Sequence, residues 1–297
     1  MDGTCLAMII DLHIHSKNCS DGMLTVKEIF HEAKVRNIGL MSITDHDSIG
    51  CQEEALDLAK KSRIHYVVGV EIGISFSPPK AYGKEAISLD LLGYQFDINN
   101  TALNDKLRLM GEKRKERTAR ILENLNAEFE TKGIEKLTEK DFEKIQASVE
   151  GTLGRPHIAD YLIKKGIVKT RQEAFDEYLE KCNFPKFPVH LKEASKLLRD
   201  AGGIVVLAHP NDPHGISLAR LTGSLTEQTK IIEKTMLGYI DGVECWHSRN
   251  DADTTNHYVK FAKKHRLIMT GGSDCHQKPI LMGTIKIPNY VARHFLD

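Results

Sequence analysis

MIIDLHIHSKNCSDG, residues 8–22, begins as an apolar strand and ends in charge. Side chains alternate across a strand, so Asp11, His13 and His15 share one face. Asp21 follows just past the strand's end. Three polar groups on one face of a segment that starts Met8-Ile9-Ile10 make a poor core, because a buried charge without a partner is costly. They make a good holder for something charged.

Outward from this stretch, strand and helix patterns alternate. TVKEIFHEAKVRN (25–37) is an amphipathic helix opening on a Thr cap, and GLMSIT (39–44) is the next strand. CQEEALDLAKK (51–61) is helical. IHYVVGVEIGISF (64–76) and AISLDLLGYQF (86–96) are β-rich and joined by a loop with Pro and Gly, which suggests a hairpin. From Thr101 to about Pro188 the sequence is charged and helical. Alternation returns at GIVVLAHP (203–210), DGVECWH (241–247) and LIMTGGSDCH (267–276). The expected class is α/β: a β/α barrel over 8–98 and 190–297, interrupted by a mainly helical insertion domain over 99–189.

Composition narrows the function classes. The 297 residues carry 41 basic and 41 acidic side chains, so net charge gives no general argument for a nucleic-acid scaffold or a membrane partner. The 6 cysteines (5, 19, 51, 182, 245 and 275) are scattered without a CxxC pair, which reads as reduced thiols in a cytoplasmic protein. No apolar run is long enough to span a membrane, and no secretory leader is expected. Neither GxSxG nor GxxxxGK occurs, so a serine nucleophile and a phosphate-cradling loop are not expected.

Polar groups recur where strands end: His46 in SITDHD (42–47), Glu71 in VGVEI (68–72), His209 in LAHP (207–210), Asp274 and His276 in GGSDCH (271–276). Each alone has an ordinary explanation. Asp45 and Asp47 could cap a helix, His209-Pro210 could be a turn, Glu71 could be a strand-edge charge, and HxH can arise from alternation. Together they place charged groups at four strand ends in segments otherwise rich in Val, Ile and Leu. The C-terminal strand ends of a β/α barrel form its mouth, so the groups converge, and a metal cluster accounts for them. Imidazoles and carboxylates without thiolate suit Mn, Fe or Zn.

The four motifs Asp11-Leu12-His13-Ile14-His15, Thr44-Asp45-His46-Asp47, Ala208-His209-Pro210 and Ser273-Asp274-Cys275-His276 resemble those of the PHP (polymerase and histidinol phosphatase) phosphoesterases. The resemblance implies a distorted (β/α)7 barrel holding two or three divalent metal ions. Carried over residue by residue, it implies His13, His15, Glu71 and Asp274 around a first ion. Glu71, His157 and His209 would surround a second, and Asp21, His46 and His276 a third. GRPHIADYLIKKG (154–166), AFDEYLEKC (174–182) and RKERTARILENL (114–125) are similar to the insert of members acting on nucleotide phosphates or RNA 5′ ends. Asp21 stands where the histidinol-phosphatase branch has a histidine. His276-Gln277 departs from the glycine frequent after the last motif.

The implied activity is hydrolysis, by metal-activated water, of a phosphate monoester of a small nucleotide: a nucleoside 5′-monophosphate or 3′,5′-bisphosphate. Trimming of short RNA from its 5′ end stands beside it. Histidinol phosphate is the in-family alternative, and a non-catalytic, metal-stabilised binding module is the alternative of another class. An amidohydrolase would need a metal-bridging lysine, which no strand end supplies. Arg155 is the candidate to grip the substrate phosphate, through a guanidinium fork. Arg117, with Arg114 near it, is a candidate for a second phosphate. His247 is a candidate general acid or substrate contact, or an outer hydrogen-bond partner. Asp11, Asp45 and Asp47 are expected to orient imidazoles, and Cys275 to pack. His31, His65, His190, His214, His257, His265 and His294 read as ordinary histidines. The expected partner is a small phosphate ester, with no membrane and no obligate protein partner.

Overall fold

The computed structural model describes residues 8–82, 85–149, 152–213 and 215–296. His214 lies outside them. Strand β1 (Ile9–Ile14) pairs in parallel with β2 (Ile38–Ile43), and β2 with β3 (His65–Tyr66). Between β1 and β2 runs α1 (Val26–Val35). Its start is fixed by a reciprocal cap: Thr25 accepts the Glu28 N–H while Glu28 accepts the Thr25 N–H. Helix α2 (Gln52–Lys60) follows β2 and has no side-chain cap, so Asp45 and Asp47 are not spent there.

The second sheet runs β4 (Gly69–Phe76), β5 (Ile87–Tyr94), β6 (Ile204–Leu207), β7 (Gly242–His247) and β8 (Ile268–Gly272), in that order. β4 and β5 form the expected hairpin, in register from Gly69 opposite Tyr94 to Phe76 opposite Ile87. The short connection reverses the chain, so no crossover helix is possible and this pair is antiparallel. β5 and β6 are antiparallel as well; β6, β7 and β8 are parallel. The architecture is therefore mixed α/β in two sheets, and its ladders do not close into a seven-stranded barrel. Single parallel bridges join the sheets, Ile14 to Cys275 at one seam and His46 to Glu71 at the other. Both bridges lie at strand ends that carry the polar motifs.

The helical segment between β5 and β6 contains α3 (Thr101–Lys132), α4 (Glu139–Gln146), α5 (Arg155–Lys164) and α6 (Arg171–Ala174), which runs into a π-helical turn over Phe175–Leu179. Helix α7 (Leu191–Asp200) leads back to the sheet; α8 (Leu225–Thr235) and α9 (Ala252–His265) flank β7. α3 is one helix, opened by the Asn100 side chain on the Leu103 N–H and closed by Gly133 in the left-handed region at φ 67°. Leu103, Leu107 and Met110 on its first half pack in the core under β4–β7. Ile121, Leu122, Leu125 and Phe129 on its second half pack in a separate core with Ile145, Leu162 and Leu179. One helix thus serves two apolar cores, and Arg114 and Arg117 sit between them.

Cys19 and Cys51 form a disulfide, which corrects the expectation of reduced thiols throughout. The two are 32 residues apart, so their spacing carried no hint of pairing. Cys182, Cys245 and Cys275 are buried thiols, and Cys275 packs as expected. Among the described residues, no helix is long and apolar enough to cross a membrane.

Candidate metal centre

Alternation along β1 places Asp11, His13 and His15 in the interior, each no more than 1% exposed. Their environments differ. Asp11 accepts the backbone N–H groups of Ser273 (2.9 Å), Gly283 (2.8 Å) and His13 (3.4 Å), so it ties β1 to the loop after β8. Burial raises its pKa against these bonds. His13 and His15 instead point their Nε2 atoms at each other, 3.1 Å apart. Two ring nitrogens at that distance either share one proton as an N–H···N hydrogen bond or both turn lone pairs to a cation.

Glu71 on β4 is the hub. Its Oε1 lies 2.9 Å from His209 Nε2, and its Oε2 lies 2.9, 3.3 and 3.5 Å from ring nitrogens of His46, His15 and His13. Burial alone would raise this carboxyl, but the His46 and His13 rings outweigh it and hold Glu71 well below the usual range. The same hub pulls His209 up to about 10 against burial. Asp274 stands 3.3 Å from His15 Nε2 and 3.5 Å from His13 Nε2. Asp21 stands 3.3 Å from His276 Nε2 and 3.9 Å from His46 Nε2.

Among the described residues, three sets of histidine and carboxylate donor atoms draw within 4.8 Å: His13, His15 and Asp274; His13, Glu71 and His209; and His15, Asp21, His46 and His276. The fourth close set, Cys19, Asp45 and Cys51, has its sulfurs in a disulfide. Eight of the nine expected ligand positions fall in the three histidine and carboxylate sets. His157 does not. At the start of α5 its Nδ1 accepts the Gly154 N–H (3.0 Å), and its Nε2 donates to the Ser20 carbonyl beside Asp21 (3.3 Å). The chemistry of the sets fits divalent cations: Glu71 Oε2 is buried without a hydrogen bond although three imidazoles face it.

The imidazoles are not oriented by the aspartates expected to do so. Asp11 binds backbone, Asp45 binds Ser16 N (2.6 Å) and Oγ (2.7 Å), and Asp47 binds Gly73 N (2.8 Å) and Arg114 (2.7 Å from Nε). Burial pushes Asp45 up to about 7. The orienting carboxylate is Glu244 on β7, which accepts His13 Nδ1–H at 3.0 Å and the His209 backbone N–H at 2.7 Å. Sequence reading missed it, although a Glu in the apolar run DGVECW is the signal that singled out Glu71 in VGVEI. Glu244 secures a strained point: His209 has φ 22°, and Asp47 (50°) and Asp274 (51°) are also left-handed.

Of the predicted substrate groups, Arg155 and Arg117 line a small cavity over the site, and His247 is buried. Arg155 pairs with Glu180 (2.9 Å) and covers the Phe175 ring. Arg117 donates to Phe184 O and Asn183 Oδ1, both at 2.6 Å, and burial with Arg155 and Arg114 nearby lowers it to about 10. Both line a cavity of about 160 Å³ that opens onto Asp21 and His46. His247 Nε2 donates to Asp274 Oδ2 at 3.3 Å. Wider cavities of about 590 and 710 Å³ meet the site through Asp21, Arg171 and Gln277.

Residues 11–187 match the model of the PHP domain family. A 5′-3′ exoribonuclease of Haemophilus influenzae is 28% identical over 269 residues, covering 90% of this chain and 89% of that protein. A 3′,5′-nucleoside bisphosphate phosphatase of Chromobacterium violaceum is 28% identical over 275 residues, covering 90% of this chain and 87% of the other. Among solved structures, a protein of Bifidobacterium adolescentis described as a candidate metal-dependent phosphoesterase superposes with a TM-score of 0.81. It is 28% identical, with 98% of this chain and 96% of that one covered.

Proposed function

The chain belongs to the PHP domain family, and on that premise we propose that its histidine–carboxylate cluster hydrolyses the phosphate monoester of a small nucleotide, a nucleoside 5′-monophosphate or 3′,5′-bisphosphate. The protein is a metal-dependent phosphoesterase. The observation that carries the reading is Glu71: one buried carboxylate shared by His13, His15, His46 and His209.

The proposed metal ligands are His13, His15, Asp21, His46, Glu71, His157, His209, Asp274 and His276. His157 would exchange its Ser20 carbonyl contact for the cation. Bound divalent cations, Mn, Fe or Zn in character, supply Lewis-acid activation of water and neutralise phosphoryl charge. The chain's own groups do the rest. Glu244 fixes the His13 tautomer so that Nε2 faces inward. Arg155 and Arg117 in the small cavity supply donors for phosphate oxygens once Arg155 leaves Glu180. His247, buried against Asp274, would steady that carboxylate or hand a proton to the leaving oxygen. We read residues 99–189 as an insertion domain on a distorted barrel made by the two bridged sheets, 8–98 and 190–297. A cytoplasmic location is proposed from the scattered thiols; the Cys19–Cys51 bond weighs against it.

Short RNA is the second substrate, favoured by two wide cavities that both reach Asp21 and by the exoribonuclease relative. Phosphate release by Mn²⁺-loaded protein tests the reading. The panel is AMP, adenosine 3′,5′-bisphosphate, 5′-phosphorylated RNA and histidinol phosphate, with His209→Ala as control. Release from a nucleotide or RNA, lost in the variant, is expected. Release from histidinol phosphate alone would overturn the substrate class, and none from any ester would overturn the activity.

A further inference from the structure

Four cations wall the small cavity over Asp21 and His46: Arg114, Arg117, Arg155 and Lys186. Three are engaged. Arg114 grips Asp47, Arg155 grips Glu180, and Arg117 gives its Nε and one terminal nitrogen to a carbonyl and an amide oxygen. Lys186 is half-buried, yet among the described residues no acceptor bonds its ammonium and no carboxylate lies within ion-pairing distance of it. Asp90 and Asp47 are near without closing on it. A Cβ placed on Gly73 would stand 3.4 Å from Asp90 Oδ1, 3.5 Å from Lys186 Nζ and 3.8 Å from Asp47 Oδ1. Asp47 already serves Arg114 and Gly73 N. Burial, with Arg114 and Arg117 nearby, weighs against the charged ammonium, and Asp90 and Asp47 only partly offset this. A half-buried ammonium in that position is stabilised by any anion that enters the cavity.

The backbone under Lys186 is stiff. Pro185 precedes it, Pro188 follows two residues on, and Phe187 packs against the main core. Its carrier is therefore pre-positioned, and little order has to be gained on binding. A flexible stem with a compact charge suits a phosphate oxygen whose position shifts during reaction better than a planar fork does.

We propose that Lys186 is a substrate-binding residue whose ammonium takes a non-bridging oxygen of the phosphate group held over Asp21 and His46. This rests on the phosphoesterase reading for its substrate, but the anion contact can be measured without turnover. Metal-loaded full-length wild type, Lys186→Met and Lys186→Arg are titrated with inorganic phosphate by calorimetry, with melting temperature and metal content recorded alongside. Lys186→Gln replaces the Met variant if that one melts early. Loss of one charge-assisted hydrogen bond weakens phosphate about tenfold in Lys186→Met, and Lys186→Arg recovers most of it. KM for adenosine 3′,5′-bisphosphate rises in parallel. Equal phosphate affinity in folded, metal-loaded Lys186→Met would overturn the proposal. Wild type that binds phosphate through Lys186 yet hydrolyses no ester would uphold the contact and overturn the phosphoesterase reading.

Discussion

His13 Nδ1 and Glu244 Oε1 are 3.0 Å apart and both are fully buried, with the other Glu244 oxygen holding the His209 backbone N–H at 2.7 Å. One carboxylate thus orients an imidazole from β1 and fixes the strained backbone of another. Glu244→Gln keeps the volume but offers only one oxygen, so it satisfies His13 or His209 and leaves the other donor unpaired. Metal content after dialysis should fall with an affinity loss of about 10- to 100-fold, and activity should fall with it. Full metal content in the variant would show that His13 needs no carboxylate to hold its tautomer.

Arg114 on α3 reaches Asp47 in the loop after β2, and Asp47 is 4% exposed. Arg114→Met removes the guanidinium and strands a buried carboxylate, which costs about 3–5 kcal/mol. Asp47→Asn in the same chain removes the stranded charge and should recover a good part of that loss. Urea unfolding of the two variants against wild type reads both effects. A single-variant loss below about 1 kcal/mol would place the pair among exposed, screened ones.

The strand-end motifs were legible because alternation and burial make charge in an apolar strand conspicuous. That held for His13, His15, His46, Glu71, His209, Asp274 and His276. The antiparallel β4–β5 hairpin was legible from its short, Pro-containing connection. What stayed hidden depends on contacts between distant segments. Asp47 meets Arg114 across 67 residues, and Cys19 meets Cys51 through the way the β1 loop packs on α2. Glu244 was readable in principle. A register shift between Glu244 and Trp246 breaks the alternation that would have sorted its face. Lys186 sits in NFPKFPVH, where only the docking of α3 reveals the cavity it lines.

Chelation should destabilise the fold. A cation would satisfy His13 Nε2 and His15 Nε2, which converge to 3.1 Å, and the buried Glu71 Oε2, so its removal leaves these groups to find other partners. A ligand present at about a thousand times its Kd stabilises by roughly 4 kcal/mol, which in a chain of this size is a melting shift on the order of 10 °C. Scanning calorimetry of EDTA-treated and Mn²⁺-restored protein measures the shift, and His13→Ala should show little of it. An unchanged melting temperature on chelation would mean that the cluster binds no cation tightly.

The helical segment should carry its own acid sensitivity. Asp141 accepts the Tyr161 hydroxyl, the Thr138 N–H (2.7 Å) and the Thr138 hydroxyl (2.8 Å), with Lys165 at 3.5 Å. The Tyr161 bond first, then Thr138, holds this carboxyl well below its ordinary 3.8. A depressed carboxylate contributes stability that is fully present above the unfolded value near ~4 and is lost as pH falls toward the folded one. Wild type should therefore lose stability faster than Asp141→Asn between about pH 5 and pH 3, and the gap between them should narrow as the pH drops. Urea midpoints followed by circular dichroism across that range test it. Parallel curves would show that Asp141 is equally acidic in the unfolded chain, and that the Thr138–Asp141–Tyr161 contacts contribute packing without charge.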